Sequence, residues 1–276
     1  FTRSKKDYDL IKSKIKSTGY NIPVMAKIEK WEAVENLDGI VQVFDGVMVA
    51  RGDLGVELPL ERVPVIQKDI IRKAKLYGKP VVIATQMLDS MIEKPVPTRA
   101  EVSDIANSIL DGSDALLVTG ETAIGEFPIR VINMLSDVIH ETEKTVEYYN
   151  KTIVDDTVHN PAGAISHAAC TIAKDLDISA IVTMTQSGGT ARMVSSFRPS
   201  ASVYAMTTLA DTYRALSIIW GVIPILIDPY SSSDEIPDLA KKKLRDLKII
   251  KENEKFIITG GVPVNVPGTT NYISIL

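Results

Sequence analysis

The chain has 276 residues, 45% hydrophobic and 24% charged, with a formal net charge of −4; this is a soluble globular composition, long enough for two domains of ordinary size. No basic block and no aromatic-basic interleaving occurs, which argues against nucleic-acid binding. The most apolar stretch, Ile218 to Ile227, is interrupted by Gly221 and Pro224 and is too short to span a bilayer, and the single Cys170 excludes an internal disulfide or a cysteine metal cluster.

The chain opens at Phe1-Thr2-Arg3-Ser4 and reads as the end of a strand cut from something longer. Ser4 caps a helix expected from Lys5 to Ser17, with Tyr8, Ile11 and Ile15 on one face and Gly19 after its end. A strand at Val24 to Ile28 finishes in Lys27-Ile28-Glu29, and Trp31 to Leu37 is a short helix. Next comes the wholly apolar run Val47 to Ala50, suited to a buried parallel strand, which stops at Arg51-Gly52-Asp53. A helix is expected from Leu60 to Tyr77, then a strand Val81 to Ala84 leading into Thr85-Gln86-Met87. Thr98 and Glu101 have the spacing of a capping box for a helix to Leu110. The strand Ala115 to Val118 ends in Thr119-Gly120-Glu121-Thr122, and Pro128 opens a helix to Lys144.

These are four strand–helix units with polar residues at every strand's C-terminal end. That is the pattern of a (β/α)8 barrel wall, whose active face is that end; an open parallel sheet is the alternative. Val146 to Asn160, with Asp155-Asp156, reads as a linker. From Pro161 a second α/β rhythm runs through a helix to Ala173, strands at Ala180 to Met184, Ser202 to Met206 and Val222 to Ile227, and helices at Gly189 to Ser196, Thr208 to Ile218 and Ser233 to Leu247. Strands at Lys255 to Thr259 and Tyr272 to Leu276 close it. The fold class is therefore α/β: the second half of a TIM-type barrel over residues 1–150, then a smaller doubly wound domain over 151–276. Cys170 reads as core, and with no signal-peptide pattern in view it fits a reducing, cytoplasmic compartment.

Glu29 and Asp53 put one carboxylate on each of two successive strand ends. Mg²⁺ is held by one or two carboxylates plus substrate oxygens. Lys27, two residues before Glu29, points to the same side of its strand, and a cation beside a metal site suits phosphoryl transfer. A plain Lys27–Glu29 salt bridge, and a helix-cap role for Thr85, are the structural alternatives. His140, His159 and His167 lack metal-ligand spacing. In the second domain, Thr185-Gln186-Ser187-Gly188-Gly189-Thr190 lies between a strand and a helix, where hydroxyls and free N–H groups form an anion cradle, or else an ordinary turn. The loop Gly260 to Asn271 is a second wall of that site or a surface hairpin.

Lys27-Ile28-Glu29, Met48 to Gly55, Gly78-Lys79-Pro80, Ala84 to Leu88, Pro97 to Glu101, Asp104 to Asn107 and Gly120 to Ala123 together resemble the pyruvate kinase family, nearly continuously over residues 1–145. Thr185 to Ala191 and the Gly260–Asn271 loop resemble its C-terminal domain. The resemblance implies transfer of the phosphoryl group of phosphoenolpyruvate to ADP, giving pyruvate and ATP in glycolysis. It implies that Lys27 steadies the phosphoryl group and that Glu29 and Asp53 hold Mg²⁺ or Mn²⁺. Backbone N–H groups near Gly52 and Asp53 then hold the substrate carboxylate, Thr85 touches it and helps deliver a proton, and Arg51 orders the site by ion pairing. Thr185, Gln186, Ser187, Gly188 and Thr190 correspond to an effector-phosphate loop, K⁺ would have its ligands outside this chain, and a homotetramer is implied. The family's first four barrel strands have no counterpart here, so the isolated chain is expected to lack turnover. A metal-dependent aldolase on pyruvate-like substrates, with or without a Schiff base at Lys27, and a regulatory module that binds a phosphorylated metabolite are the competing readings.

Overall fold

A computed structural model of the chain describes residues 1–144, 160–264, 266 and 268–276. It divides into two compact units, Phe1–Glu147 and Tyr148–Leu276. The expected linker lies, apart from Asn160, outside the described residues, as does His159.

In the first unit, strands β1 (Met25–Ile28), β2 (Gly46–Ala50), β3 (Val81–Ala84) and β4 (Ala115–Leu117) form one parallel sheet in chain order. This unreversed order is that of a barrel wall; a doubly wound sheet reverses. Register aligns Lys27 with Met48, Met48 with Val82 and Val82 with Ala115. The opposite face, with Ala26, Ile28, Val47, Val49, Val81 and Ile83, is fully buried. Helix α1 (Lys5–Ser17) precedes β1 and is capped as expected, Ser4 accepting from Lys6 N–H and Asp7 reaching back to the Ser4 N–H.

The segments between strands depart from expectation where long-range contacts override local propensity. The helix after β1 is two helices, α2 (Trp31–Glu35) and α3 (Leu37–Val43); the latter buries Leu37, Ile40 and Val41 at helical spacing. The strand-ending Arg-Gly-Asp is instead the first turn of α4 (Arg51–Glu57). A 3₁₀ turn at Leu60–Arg62 then leads into α5 (Val63–Leu76), which starts later than expected and buries Ile66, Ile70, Ile71 and Ala74. After β3 come a 3₁₀ turn at Asp89–Ile92 and α6 (Arg99–Asp111); after β4 come α7 (Gly120–Ala123), a helix the strand-ending residues did not suggest, and α8 (Pro128–Lys144).

In the second unit, α9 (Pro161–Asp175) is capped by Asn160, whose Oδ1 accepts from Gly163 N–H at 2.8 Å. The elements β5 (Ala180–Met184), α10 (Gly189–Ser196), β6 (Ser202–Thr207), α11 (Ala210–Leu216), β7 (Val222–Leu226), α12 (Ile236–Asp246), β8 (Ile257–Gly261) and β9 (Thr270–Ile275) follow. Sheet order is β7-β6-β5-β8-β9, parallel except for β9. Helices cover both faces: Ala169, Val194 and Leu216 pack against Ile181 and Val203, while Ile236, Ala240 and Leu244 pack against Val182 and Met206. Among the described residues, no helix is long and apolar enough to cross a membrane.

Candidate functional site

The first unit gathers its polar residues where β1, β2 and β3 end. Strand alternation puts Lys27 and Glu29 on one side. Lys27 Nζ lies 2.5 Å from Glu29 Oε2 and 2.9 Å from Asp53 Oδ2. Glu29 is almost fully buried, whereas the side chains of Lys27 and Asp53 are about half exposed, at 46% and 55%. Burial pushes the Glu29 carboxyl up; hydrogen bonds from the Lys27 ammonium and the terminal Phe1 amino group 3.1 Å away outweigh it and hold the group at about 2. Contacts with Glu29, then Asp53, raise the Lys27 ammonium above the ordinary lysine value. The salt bridge weighed against the metal-site reading is thus present, and the same two carboxylates converge on one cation.

Thr85 does not cap the segment that follows it. Its Oγ1 accepts from the Gly52 N–H at 2.8 Å, so it caps the first turn of α4 from a neighbouring strand. Thr85 and Gln86 both have left-handed backbone, at φ 69° and 55°. Arg51, 7% exposed, sits beneath them. Its Nη2 donates to the Thr85 carbonyl at 2.8 Å, the Gln86 carbonyl at 2.9 Å and Met87 Sδ at 3.0 Å, and its Nη1 pairs with Asp104 Oδ2.

Two further carboxylates pin the rest of this loop. Glu121, 1% exposed, accepts from the N–H groups of Leu88 at 3.1 Å and Thr119 at 2.9 Å. Glu101 completes its capping box with Thr98 and also accepts from Ser90 N–H at 2.8 Å and Ser90 Oγ at 2.5 Å. Asp104, Glu101 and Glu121 lie in the motifs quoted above, which by themselves give them no such role. The available signal was position: Asp104 stands beside the buried Ile105 and Ser108 on α6.

Glu101 titrates below the ordinary glutamate range: burial raises it, and the hydrogen bonds from Ser90, then Thr98, outweigh burial. Folding therefore favours the charged form. The resulting stability is complete above the unfolded value of about 4.3 and is lost as the pH falls through the lower folded value. Glu101→Gln is expected to lower the thermal midpoint at pH 7 by about 3–6 °C, from ~1–2 kcal/mol of charge-assisted hydrogen bonding. Thermal scans against pH should show that gap closing in acid; a gap of constant size would contradict the assignment.

The second unit carries a separate cleft of about 160 Å³, lined by Thr185, Gln186, Ser187, Gly189, Thr190, Tyr230 and the β8–β9 loop at Gly261, Val266 and Gly268 to Thr270. It opens at the carboxyl ends of β5 and β8, adjacent strands whose order marks the switch point at which such sheets bind ligands. Gly188 is absent from the lining; its N–H donates to Thr185 Oγ1 at 2.9 Å and shapes the turn. Thr190 Oγ1 lies 2.6 Å from Thr270 Oγ1, tying the two walls together. The Gly260–Asn271 loop is thus both a wall of the cleft and the connection of a hairpin; Asn265 and Pro267 lie outside the described residues. Burial holds the Cys170 thiol at about 12, so it is an inert core residue.

Two family models match the chain: pyruvate kinase, barrel domain, over residues 1–132, and pyruvate kinase, alpha/beta domain, over residues 163–276. A pyruvate kinase of Thermotoga maritima is 46% identical over 276 residues, 100% of this chain and 59% of that protein. A pyruvate kinase of Clostridium acetobutylicum is 45% identical over 260 residues, 93% of this chain and 55% of that protein. A crystal structure of a pyruvate kinase from Cryptosporidium parvum superposes with a TM-score of 0.90 at 36% identity, covering 100% of this chain and 57% of that one. The chain thus spans a little over half the length of these relatives.

Proposed function

The chain belongs to the pyruvate kinase family, and from that premise we propose that it carries part of a site for magnesium-dependent phosphoryl transfer from phosphoenolpyruvate to ADP. The observation that supports this most is the convergence of Lys27, Glu29 and Asp53 beside the Thr85–Gly52 hydrogen bond.

Glu29 and Asp53 are the residues that would hold Mg²⁺ or Mn²⁺. Their hard oxygen donors already meet at one cation, the Lys27 ammonium, and two carboxylates suffice for an ion that keeps water and substrate oxygens as its other ligands. The bound ion supplies neutralisation of phosphoryl and enolate charge. Lys27 stabilises the phosphoryl oxygens while the bond from phosphorus to the enol oxygen breaks and the bond to the ADP β-phosphate oxygen forms. The Asp53 N–H and the Thr85 hydroxyl, whose oxygen the Gly52 N–H holds at 2.8 Å, receive the substrate carboxylate. Thr85 then helps pass a proton to the enolate methylene carbon, yielding pyruvate. Arg51 orders this wall.

The cleft in the second unit suits a phosphorylated effector, held by Ser187, Thr190 and backbone N–H groups opening α10. A cytoplasmic glycolytic role and homotetrameric assembly belong to the same reading. A Schiff-base aldolase is disfavoured because such a lysine needs a depressed pKa, and that of Lys27 is raised.

The test is a coupled assay with phosphoenolpyruvate, ADP and Mg²⁺ on the protein at its full natural length. Turnover should vanish with EDTA and return with Mg²⁺ or Mn²⁺. Absence of turnover, with a phosphorylated metabolite still bound, would favour the regulatory-module reading.

A further inference from the structure

We propose that Asp104 is a positioning residue: through Arg51 it holds the Thr85–Gln86 turn in its left-handed conformation and so keeps the Thr85 hydroxyl on the Gly52 N–H. The kinetic consequence, though not the geometry, rests on the phosphoryl-transfer reading above.

Left-handed backbone is disfavoured for residues with a Cβ, and most of all for a β-branched threonine. Two such residues in succession persist only where the surroundings over-determine them. Here one guanidinium takes both carbonyls of the turn. Arg51 Nε and Nη2 reach the Thr85 carbonyl at 3.2 and 2.8 Å, and Nη2 also reaches the Gln86 carbonyl at 2.9 Å. The far end of the loop has its own anchors, Glu121 at Leu88 and Glu101 at Ser90. The near end, where Thr85 stands, is the part assigned to Arg51.

A guanidinium is a rigid planar fork, so one arm cannot re-aim without moving the others. Asp104 takes the Nη1 arm, which leaves Nε and Nη2 aimed at the two carbonyls. Arg51 is 7% exposed, so its charge needs that counterion. With Asp104 removed, Nη1 swings toward water, the fork rotates off the carbonyls and the turn relaxes. Thr85 Oγ1 then leaves Gly52. That N–H belongs to the first turn of α4, where no intrahelical acceptor exists, so Thr85 is its protection.

The experiment is amide-resolved hydrogen exchange, with steady-state kinetics, on the protein at its full natural length carrying Asp104→Ala, Asp104→Asn or Asp104→Glu. Asp69→Asn, which removes an exposed carboxylate paired with Arg72 and Lys73, is the control. Asp104→Ala is expected to speed Gly52 exchange about tenfold, the loss of one hydrogen bond's protection. Asp104→Glu should restore much of the protection, and the amides of β2 and β3 should keep their rates. Turnover should fall in kcat with little change in KM for ADP. If Asp104→Ala fails to fold, the near-isosteric Asp104→Asn decides by the same readout. Unchanged Gly52 exchange, or a rise shared equally by the strands, would overturn the proposal. Should the unmodified protein lack turnover, the phosphoryl-transfer reading fails, and the exchange result still decides the role of Asp104.

Discussion

Lys27→Met is expected to lower kcat by about 10³-fold in the protein at its natural length, the scale of removing a preorganised charge from a transferring phosphoryl group. On the proposed phosphoryl-transfer reading that charge acts on the transition state, so kcat and kcat/KM for phosphoenolpyruvate should fall together. Lys27→Arg should not rescue: a planar fork does not replace a compact ammonium 2.5 Å from Glu29 and 2.9 Å from Asp53. A second readout follows from the same contacts. Glu29, where the Lys27 ammonium outweighs burial and lowers the carboxyl, contributes stability that is complete above its unfolded value of about 4.3 and is lost as the pH falls through the lower folded value. Removing the ammonium leaves a buried carboxylate beside Asp53, so its pKa rises and that acid-sensitive stability shrinks. Coupled assays with thermal scans at pH 3 and 7 check both arms. A variant that keeps kcat within about tenfold would remove Lys27 from the chemistry.

The strands were legible because each is a short apolar run closed by polar residues, a signal that needs no knowledge of partners. β2 and β5 are the clearest cases: Val47 to Ala50 and Ala180 to Met184 both fall within the strands formed. Helix caps were legible for the same local reason, as Ser4 and Thr98 demonstrate. Helix α4 was not, since Gly52 and Gly55 argue locally against a helix and its cap comes from Thr85, 33 residues away. The side-by-side placement of Lys27 and Glu29 followed from strand periodicity, but the arrival of Asp53 depends on the register of β1 on β2. The Thr85–Gln86 turn defeats propensity altogether. Nothing local in a Thr-Gln pair favours positive φ, and the guanidinium that holds it lies at Arg51. Such conflicts between local preference and tertiary structure concentrate at functional sites.

Gly112→Ala is expected to be damaging although it lies outside the site, costing ~2–4 kcal/mol and about 5–15 °C in thermal midpoint. Gly112 ends α6 at φ +99°, its N–H donating to the Ile109 and Ser108 carbonyls. An added Cβ meets two costs there. The first is left-handed backbone, about 1–2 kcal/mol for a residue with a Cβ. The second is Lys75, whose Nζ and Cε occupy the space the new carbon would take. Lys75 is 9% exposed and its Nζ is 3.4 Å from the Asp111 carbonyl, where an ammonium complements the last turn of a helix. The lysine must therefore leave a buried seat. Gly19 isolates the first cost, because it has φ +81° and nothing within 4 Å of a Cβ; Gly19→Ala should lower the midpoint by only a few degrees, from ~1 kcal/mol. In the Gly112→Ala background, adding Lys75→Ala should cost less than it does in the native chain, since the clash it relieves exists only there. Differential scanning calorimetry of the four variants measures this coupling. Equal losses at Gly112 and Gly19, or strict additivity with Lys75→Ala, would show that the lysine yields freely and that backbone conformation alone sets the cost.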